Sequence, residues 1–286
     1  MESSQEKPKV SIIIPTFNSE NTLPECLRGI LTQGYPSYEV IIVDNFSHDD
    51  TVRIAKDFKA EVLQKKCNPA LARNLGVYNS TGKYILFLDS DQILSPPVII
   101  ECVEKCEYEK AGMVHIPEVF VGRAFWSLCS AVWKNCYIKF GKLNGSMDDI
   151  ASGEPRFFLK DHIIRAGMLD ADLLWGEDYE LYRRLRKMNL KEASCESQIF
   201  HYEPSSIKDI VVKNFHYGSS MPIFWQQTRK QVFPLLLKRA LLTFGKVFRD
   251  FQKSPSIVAG CAILLYLKTC STMTGLITGF MRRFSL

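Results

Sequence analysis

The stretch Tyr-Ile-Leu-Phe-Leu-Asp-Ser-Asp at residues 84–91 decides the fold expected for this chain. Its five apolar residues predict a short, fully buried strand, as in a parallel sheet. Because side chains alternate along an extended chain, Asp89 and Asp91 are predicted to point to the same side, with Ser90 turned away. Two such carboxylates suit Mg²⁺ or Mn²⁺, which prefer oxygen ligands and leave room for substrate phosphates. Taken alone, however, the pair is better explained as a polar strand end that runs into a turn.

The preceding residues place this strand in a larger pattern of alternating strands and helices. Strands are predicted at 10–14, 40–43 and 61–64, and helices at 21–33, 50–58 and 69–78. This alternation predicts βαβ units and a mostly parallel sheet, in which ligands bind beyond the carboxyl ends of the strands. Thr16, Asp44 and Asp89 are all expected at that edge. Neither a Gly-x-Gly-x-x-Gly fingerprint nor a Walker lysine loop is present, so any bound phosphate would need a metal ion and arginine for charge compensation.

Length and composition are those of a globular protein with an uneven charge distribution. The chain has 286 residues, 46% of them hydrophobic and 23% charged, enough for one large domain or one and a half. From Pro204 onward twelve Lys and Arg residues stand against two acids, a net charge of +10, whereas the preceding part carries −5. The nine scattered cysteines form no zinc motif and are interpreted as reduced, largely core residues of a cytosolic protein. No signal peptide is predicted at the polar first nine residues.

The basic C-terminal part interleaves its charges with apolar residues. Residues 233–251 show the pattern of a helix that lies in a membrane interface. Residues 257–267 are almost wholly apolar but few, and continuing to Met281 gives a longer, more dilute stretch that is marginal for a membrane span. Interfacial or re-entrant helices are the preferred interpretation, one span is the second, and a soluble helical cap is the third. Lipid headgroups are a better partner for this tail than nucleic acid.

The region between the sheet and the tail contains the candidate catalytic base. Glu177 and Asp178 open a helix predicted over 179–188, in which Asp178 is expected on the inward stripe and Glu177 turned away from it. Both acids could simply cap the helix, but partial burial of a carboxylate raises its pKa towards the range of a general base. An aromatic segment at 120–140 is either a core helix or a wall for a lipid or sugar acceptor. The loop at 141–155 is a possible lid over the ligand.

Five ordered motifs resemble those of the family 2 nucleotide-sugar glycosyltransferases of GT-A fold. They are Val-Ser-Ile-Ile-Ile-Pro-Thr-Phe-Asn at 10–18, Val-Asp-Asn-Phe-Ser-His-Asp-Asp-Thr at 43–51, Ala-Arg-Asn-Leu-Gly at 72–76, Leu-Asp-Ser-Asp at 88–91 and Trp-Gly-Glu-Asp at 175–178. The resemblance covers about residues 9–203, and the five motifs together are far more specific than any one of them. One departure is Phe46, where the family often has glycine; this puts the turn geometry in doubt, and the ring could instead stack on a ligand.

The resemblance implies a role for each matching residue. Asp44 would accept a hydrogen bond from the nucleotide base, Asp89 and Asp91 would hold the metal ion on the diphosphate, and Asp178, with Glu177 beside it, would be the catalytic base. The residues assigned to nucleotide-sugar binding are Pro15, Thr16, Asn18, Asp44, Ser47, Arg73, Asn74, Asp89 and Ser90. His201 is either a third metal ligand, as in some GT-A enzymes, or a structural histidine, and the second is slightly favoured.

The domain organisation expected from this resemblance has four parts. Residues 1–8 form a flexible tail, 9–115 the nucleotide-sugar-binding subdomain, 116–203 the acceptor and base subdomain, and 204–286 the membrane-associated helices. The expected fold class is therefore a GT-A, Rossmann-like, mostly parallel α/β sheet flanked by helices, with a C-terminal helical extension at the cytoplasmic face of a membrane.

The activity expected is a metal-dependent, inverting hexosyl transfer from a nucleoside-diphosphate sugar to a polyprenyl-linked glycan or lipid. A polyprenyl-phosphate hexose synthase is the alternative within the class. Two rivals come from other classes: a metal-dependent phosphohydrolase, whose Asp-x-Asp usually follows the first strand, and a catalytically silent nucleotide-binding protein. Here three strands precede Asp89, which argues against the first rival.

Overall fold

The computed structural model describes residues 7–143, 155–173, 175–228 and 232–284. Its strands are β1 (Val10–Thr16), β2 (Tyr38–Asp44), β3 (Glu61–Gln64), β4 (Tyr84–Phe87), β5 (Gln92–Leu94), β6 (Met113–His115), β7 (Glu118–Val121), β8 (Phe157–Leu159), β9 (Glu192–Ser194) and β10 (Ile199–Tyr202). Its helices are α1 (Leu23–Leu31), α2 (Thr51–Asp57), α3 (Pro69–Asn79), α4 (Val98–Glu107), α5 (Phe125–Leu143), α6 (Lys160–Arg165), α7 (Glu177–Arg186), α8 (Ile207–Thr228), α9 (Val232–Phe251) and α10 (Pro255–Phe284). Most of the loop predicted at 141–155 lies outside the described residues.

Two compact units make up the chain. The first comprises Met1–Glu118, Gly153–Ala171 and Glu177–Phe200, and the second comprises Val119–Ser152, Asp172–Gly176 and His201–Leu286. The four-part division expected from the sequence stays a prediction.

A seven-stranded sheet of order β3-β2-β1-β4-β8-β6-β9 forms the centre of the first unit. Strands β1, β2, β3 and β4 pair in parallel, β8 runs antiparallel to β4 and β6, and β9 is parallel to β6. A separate three-stranded sheet has the order β5-β10-β7. The expected mixed α/β fold with a mostly parallel central sheet is therefore present.

Helices cover both faces of the large sheet because its central strands are apolar on both sides. Ile12 and Ile14 pack with Leu27 of α1 in one buried cluster, and Ile13 packs with Val77 of α3 in the cluster on the other face. A strand that buries both faces reads as a continuous apolar run, as the sequence of β1 does.

Strand β1 continues two residues beyond the end predicted at Ile14. Pro15 pairs in register with Val43, and Thr16 with Asp44. Proline interrupts a ladder only where its missing N–H would have donated. The backbone of Ile13 accepts a hydrogen bond from Leu88 on the β4 side, and the pairing with β4 ends there. The N–H that Pro15 lacks would point to the same side as the Ile13 carbonyl, past the last residue pair between β1 and β4. No hydrogen bond between these strands is therefore lost, and β1 continues to Thr16 at the edge of the sheet.

Candidate active site

Polar residues follow three adjacent parallel strands at one edge of the sheet. Thr16 ends β1, Asp44 ends β2 and Asp89 lies two residues after β4. The strand order β2-β1-β4 makes these ends neighbours. The structure therefore places all three at the edge where open α/β sheets bind ligands.

The Asp44 carboxylate is fully buried and fixed by four hydrogen bonds. It accepts from Thr16 Oγ1 at 2.9 Å, Ser47 Oγ at 2.5 Å, the Ser47 backbone N–H at 2.9 Å and Gln64 Nε2 at 3.2 Å. A buried carboxylate needs such donors, because burial without them is costly. Asp44 is thus held rigidly, and its neighbours Thr16 and Ser47 are positioned by it.

Two loops beside Asp44 have left-handed backbone conformations. Asn18 has φ 48° and Phe46 has φ 54°. The Asn18 N–H donates to Ser47 Oγ at 2.8 Å, and its side-chain oxygen accepts from the His48 N–H at 3.0 Å, so the two loops bind each other. Phe46 thus adopts the left-handed backbone conformation of the turn although it is not glycine. This conformation is rare for bulky residues and is concentrated at functional sites. Half of its surface is exposed.

The Asp89-Ser90-Asp91 segment is a turn and not the extended chain expected from the sequence. The Gln92 N–H donates to the Asp89 carbonyl at 3.0 Å, and the Asp89 N–H donates to Gln92 Oε1 at 2.9 Å. These bonds close the turn directly after β4, so strand alternation does not orient the two carboxylates. The Ser90 hydroxyl is bonded to Ser19 Oγ at 3.0 Å, which joins this turn to the loop after β1.

Arg73 joins the strand-end carboxylate to the candidate base. Its Nη2 donates to Asp89 Oδ1 at 2.7 Å, and its Nη1 donates to Glu177 Oε1 at 3.0 Å and Asp178 Oδ1 at 3.3 Å. The residue is only 4% exposed. The three negative charges raise the pKa of the guanidinium further above its usual value, against the lowering effect of burial. Three motifs that are distant in the sequence therefore meet on one guanidinium.

Close helix packing puts Arg73 in this position. A Cβ on Gly76 would collide with the Ile13 side chain, so glycine allows α3 to lie directly on β1. The helix begins at Pro69 with Asn68 as its N-cap, whose side chain accepts from the Leu71 N–H at 2.8 Å.

Asn74 uses its side-chain amide on the protein itself. The amide nitrogen donates to the Leu169 carbonyl at 2.8 Å, and the amide oxygen accepts from the Leu169 N–H at 2.9 Å. These bonds hold the loop that precedes α7. The nucleotide contact predicted for Asn74, like that for Pro15, stays a prediction.

Arg156 is a site residue that the sequence did not reveal. Its Nη1 lies 3.4 Å from Asp89 Oδ2, and its Nε and Nη2 lie 2.6 and 2.5 Å from Glu118 Oε1. The opposing charges of Glu118 and Asp89 raise its guanidinium pKa despite burial. A lone arginine ahead of Phe157 in β8 carries no motif, and only the antiparallel pairing of β8 with β4 brings it to Asp89.

The burial of the two acids at the start of α7 is opposite to the expectation. The Glu177 side chain is 13% exposed and that of Asp178 is 36% exposed. Both lie at the first residues of the helix, ahead of the buried stripe that continues through Leu181 and Leu185. Burial and the charge of Asp178 raise the pKa of Glu177 to about 7, while Arg73 opposes the shift. Burial thus brings the pKa of Glu177 into the neutral range.

His201 packs against an aromatic ring in the second unit. The centroid of its imidazole lies 4.9 Å from that of Phe120. Its predicted role as a third metal ligand stays a prediction.

The chemical types of the side chains at the site suit a divalent metal ion. In the described part of the chain, no three His, Cys, Asp or Glu side chains are arranged to hold a metal. Asp89 and Asp91 nevertheless offer hard oxygen ligands within one turn, which the hydrogen bond from the Gln92 N–H to the Asp89 carbonyl closes. Two carboxylates suit an ion whose remaining ligands come from substrate phosphates and water.

Comparisons with known proteins show the family and the fold. The model for Glycosyl transferase family 2 matches residues 11–158. The chain is similar to an uncharacterized glycosyltransferase, RC0461, of Rickettsia conorii, with 42% identity over 90 residues, 30% of this chain and 15% of that protein. The aligned part is thus well under two-thirds of that relative's length.

Two solved structures share the fold over nearly the whole chain. The mannosyltransferase PcManGT from Pyrobaculum calidifontis, in complex with GDP-Man and Mn²⁺, has a TM-score of 0.58 at 17% identity and covers 98% of this chain and 88% of that one. TarS 1–349 of S. aureus, in complex with UDP, has a TM-score of 0.56 at 15% identity and covers 97% and 92%. These likenesses confirm the GT-A fold, and the family model matches about half of the chain, including Asp44, Arg73 and Asp89 but not Glu177 and Asp178. The chain therefore belongs to glycosyl transferase family 2.

Proposed function

We propose that this protein is an inverting glycosyltransferase that moves a sugar from a nucleoside-diphosphate sugar to an acceptor hydroxyl. The observation that carries the proposal is the contact of one buried guanidinium, Arg73, with both Asp89 and the Glu177-Asp178 pair. A donor diphosphate at Asp89 and an acceptor at Asp178 would then be held a short distance apart, as a single displacement requires.

In the proposed reaction Asp178 is the general base. Its partly exposed carboxylate takes the proton from the acceptor hydroxyl, the acceptor oxygen forms the bond to the anomeric carbon, and the bond to the diphosphate oxygen breaks with its electron pair. Attack opposite to the leaving group inverts the anomeric centre. Arg73 orients Asp178, and Asp178 is the more exposed of the two carboxylates, so it is the one open to an acceptor.

The donor would be held by the residues at the carboxyl edge of the sheet. Asp44 would bind the nucleotide base, with Pro15, Thr16, Asn18 and Ser47 around it, and Ser90, Arg73 and Asn74 nearer the diphosphate. Asp89 and Asp91 would hold a Mg²⁺ or Mn²⁺ ion. When bound, such an ion neutralises negative charge on the leaving nucleoside diphosphate.

The proposed acceptor is a polyprenyl-linked glycan or lipid at the cytoplasmic face of a membrane, so that the product enters cell-envelope glycan biosynthesis. One described helix, within Pro255–Met281, is long and apolar enough to cross a membrane, with a mean hydropathy of 1.5. A peripheral attachment and a single span are the two forms of this proposal. Transfer to a polyprenyl phosphate is the alternative reaction, and it would depend less on Asp178, because a phosphate needs no base.

A donor screen tests the proposal. Purified protein, Mn²⁺ and membrane extract are supplied with UDP-sugars and GDP-sugars in turn, and both the released nucleoside diphosphate and the glycosylated product are measured. One donor should give both products in equal amounts. Release of inorganic phosphate without sugar transfer would instead support a phosphohydrolase. Full activity in excess chelator would contradict the metal role, and Asp91→Ala should abolish turnover.

The base is tested with a matched pair of variants. Asp178→Asn should lower turnover by about 10²-fold to 10⁴-fold while UDP or GDP binding is retained. The control is Asp57→Asn, the same change at a 61% exposed carboxylate on α2, which should leave turnover unchanged. Equal activity in both variants would remove Asp178 from the mechanism, and loss of nucleotide binding in Asp178→Asn would point to a role in holding the donor.

A further inference from the structure

Helix α10 has a polar, small-residue face and an apolar face. The buried positions along it include Gly260, Cys261, Leu264, Ser271 and Gly275. Water-soluble helices usually show the reverse, with apolar residues inward and polar residues outward.

The inward face is fixed to α8 by direct backbone approach. A Cβ on Gly275 would collide with the Phe215 carbonyl, and a Cβ on Gly279 would collide with the Ser219 carbonyl. The Ser271 hydroxyl donates to the Val211 carbonyl at 2.6 Å. Such close contacts hold α10 in one rotation about its axis, so its other face stays outward.

The charged side chain in the Pro255–Met281 part of α10 also points inward. Lys268 is the only charged residue between Pro255 and Met281. Its Nζ donates to Ser130 Oγ at 2.8 Å, and Ser130 donates to Glu203 Oε2 at 2.6 Å. Glu203 also binds Lys134 Nζ, and its side chain is 3% exposed. Between Pro255 and Met281 the outward face of α10 therefore carries no charge.

The outward face carries a stripe of exposed apolar residues, defined here by Ile263, Tyr266, Met273 and Ile277, with the exposed Cys270 and Thr274 beside them. The side chains of the stripe are 48%, 69%, 58% and 59% exposed, and their spacing of three, seven and four residues keeps them on one side of a helix. The surrounding tail is strongly basic, with a net charge of +10 from Pro204 onward and Arg282-Arg283 directly after the stretch. An apolar surface within basic sequence is complementary to an anionic lipid surface.

Packing with α8 argues against α10 as a membrane span. Ser271 and Thr272 of α10 contact α8 at Val211 and Asn214, so α8 would have to enter the membrane core beside it. That stretch of α8 includes Lys213 and His216. Ionisable groups at that depth are expensive, whereas at an interface they remain in water.

We propose that the stripe of Ile263, Tyr266, Met273 and Ile277 docks on an anionic bilayer surface, with α10 lying in the plane of the interface. This inference rests on the membrane location given under the proposed function and chooses peripheral attachment over a span. Since lipid binding is measured without donor or acceptor, its failure would leave glycosyl transfer untouched.

Vesicle sedimentation of the full chain tests the proposal. Wild-type protein should bind vesicles of phosphatidylcholine with phosphatidylglycerol, and bind more weakly to phosphatidylcholine alone or at high salt. Met273→Glu/Ile277→Glu should bind at least about tenfold more weakly, because it places two charges in the apolar contact. Leu31→Glu is the matched control, since Leu31 is a 61% exposed apolar residue on α1, and it should bind like wild type. Circular dichroism and UDP or GDP binding verify that each variant is folded.

Several results would overturn the inference. Wild-type protein that does not bind, or a double variant that binds as well as wild type, would remove the stripe from any lipid contact. A C-terminal tag protected from protease by sealed vesicles would identify a span. A dimer in solution that the double variant dissociates, without vesicle binding, would assign the stripe to a second copy of the chain.

Discussion

Replacing Arg73 with methionine removes the guanidinium that binds Asp89, Glu177 and Asp178. Breaking a buried ion pair on one side costs about 3–5 kcal/mol, because it leaves an uncompensated charge. The low end applies here, since Asp89 keeps Arg156 and is 28% exposed, and Asp178 is 36% exposed. Most of the cost falls on Glu177, which is 13% exposed. We expect Arg73→Met to lower the free energy of unfolding by about 3 kcal/mol near pH 8.

The loss should depend on pH in a defined direction. Arg73 lowers the pKa of Glu177 against burial, so its removal raises that pKa above about 7. A carboxyl whose pKa is raised by folding is destabilising once it ionises, so stability falls as pH rises through the folded value. The free energy of unfolding of the variant should therefore be closer to that of wild type near pH 5, where Glu177 is protonated, than near pH 8.

Urea unfolding at the two pH values measures both effects. Arg53→Met is the control, because Arg53 forms ion pairs with Asp50 and Asp57 but is 63% exposed, and its loss should cost less than about 1 kcal/mol. The double variant Arg73→Met/Glu177→Gln should recover part of the stability at pH 8. If Arg73→Met costs no more than Arg53→Met, or costs the same at both pH values, the electrostatic explanation is refuted.

Three further predictions concern single carboxyl groups. Urea unfolding of wild type should show a fall in the free energy of unfolding from about pH 5 to pH 8. Glu177→Gln should remove part of this fall, on the order of 2 kcal/mol. Asp44→Asn should cost about 1–3 kcal/mol of stability, because an amide cannot accept all four hydrogen bonds, and calorimetry should show weaker UDP or GDP binding. Glu203→Gln should destabilise the protein at neutral pH by about 3 kcal/mol. Lys134 and Ser130 oppose the effect of burial and lower the pKa of Glu203 to about 2. The stability difference between wild type and Glu203→Gln, measured by thermal unfolding, should therefore shrink as the pH falls from 4.5 towards 2. A difference that does not change with pH would contradict the ion pair.

Local signals explain which parts of the fold were predictable. The apolar runs of β1, β2 and β4 and the helices between them lie within short windows, so their type could be derived from periodicity. Strand ends were less certain: Pro15 ends a strand by propensity, but pairing with β2 carries β1 through it. Tertiary pairing overrides local preference at such boundaries.

The sequence by itself determined the parallel sheet, the edge at which Thr16, Asp44 and Asp89 gather, and the family resemblance, because each depends on order and spacing along the chain. Only the tertiary structure decided what Arg73 binds, since its partners Glu177 and Asp178 lie 104 and 105 residues away. It also brought Arg156 to Asp89 across 67 residues and buried Glu177 more deeply than Asp178. These features follow from packing between distant segments, where charge balance and burial select partners that no local period specifies.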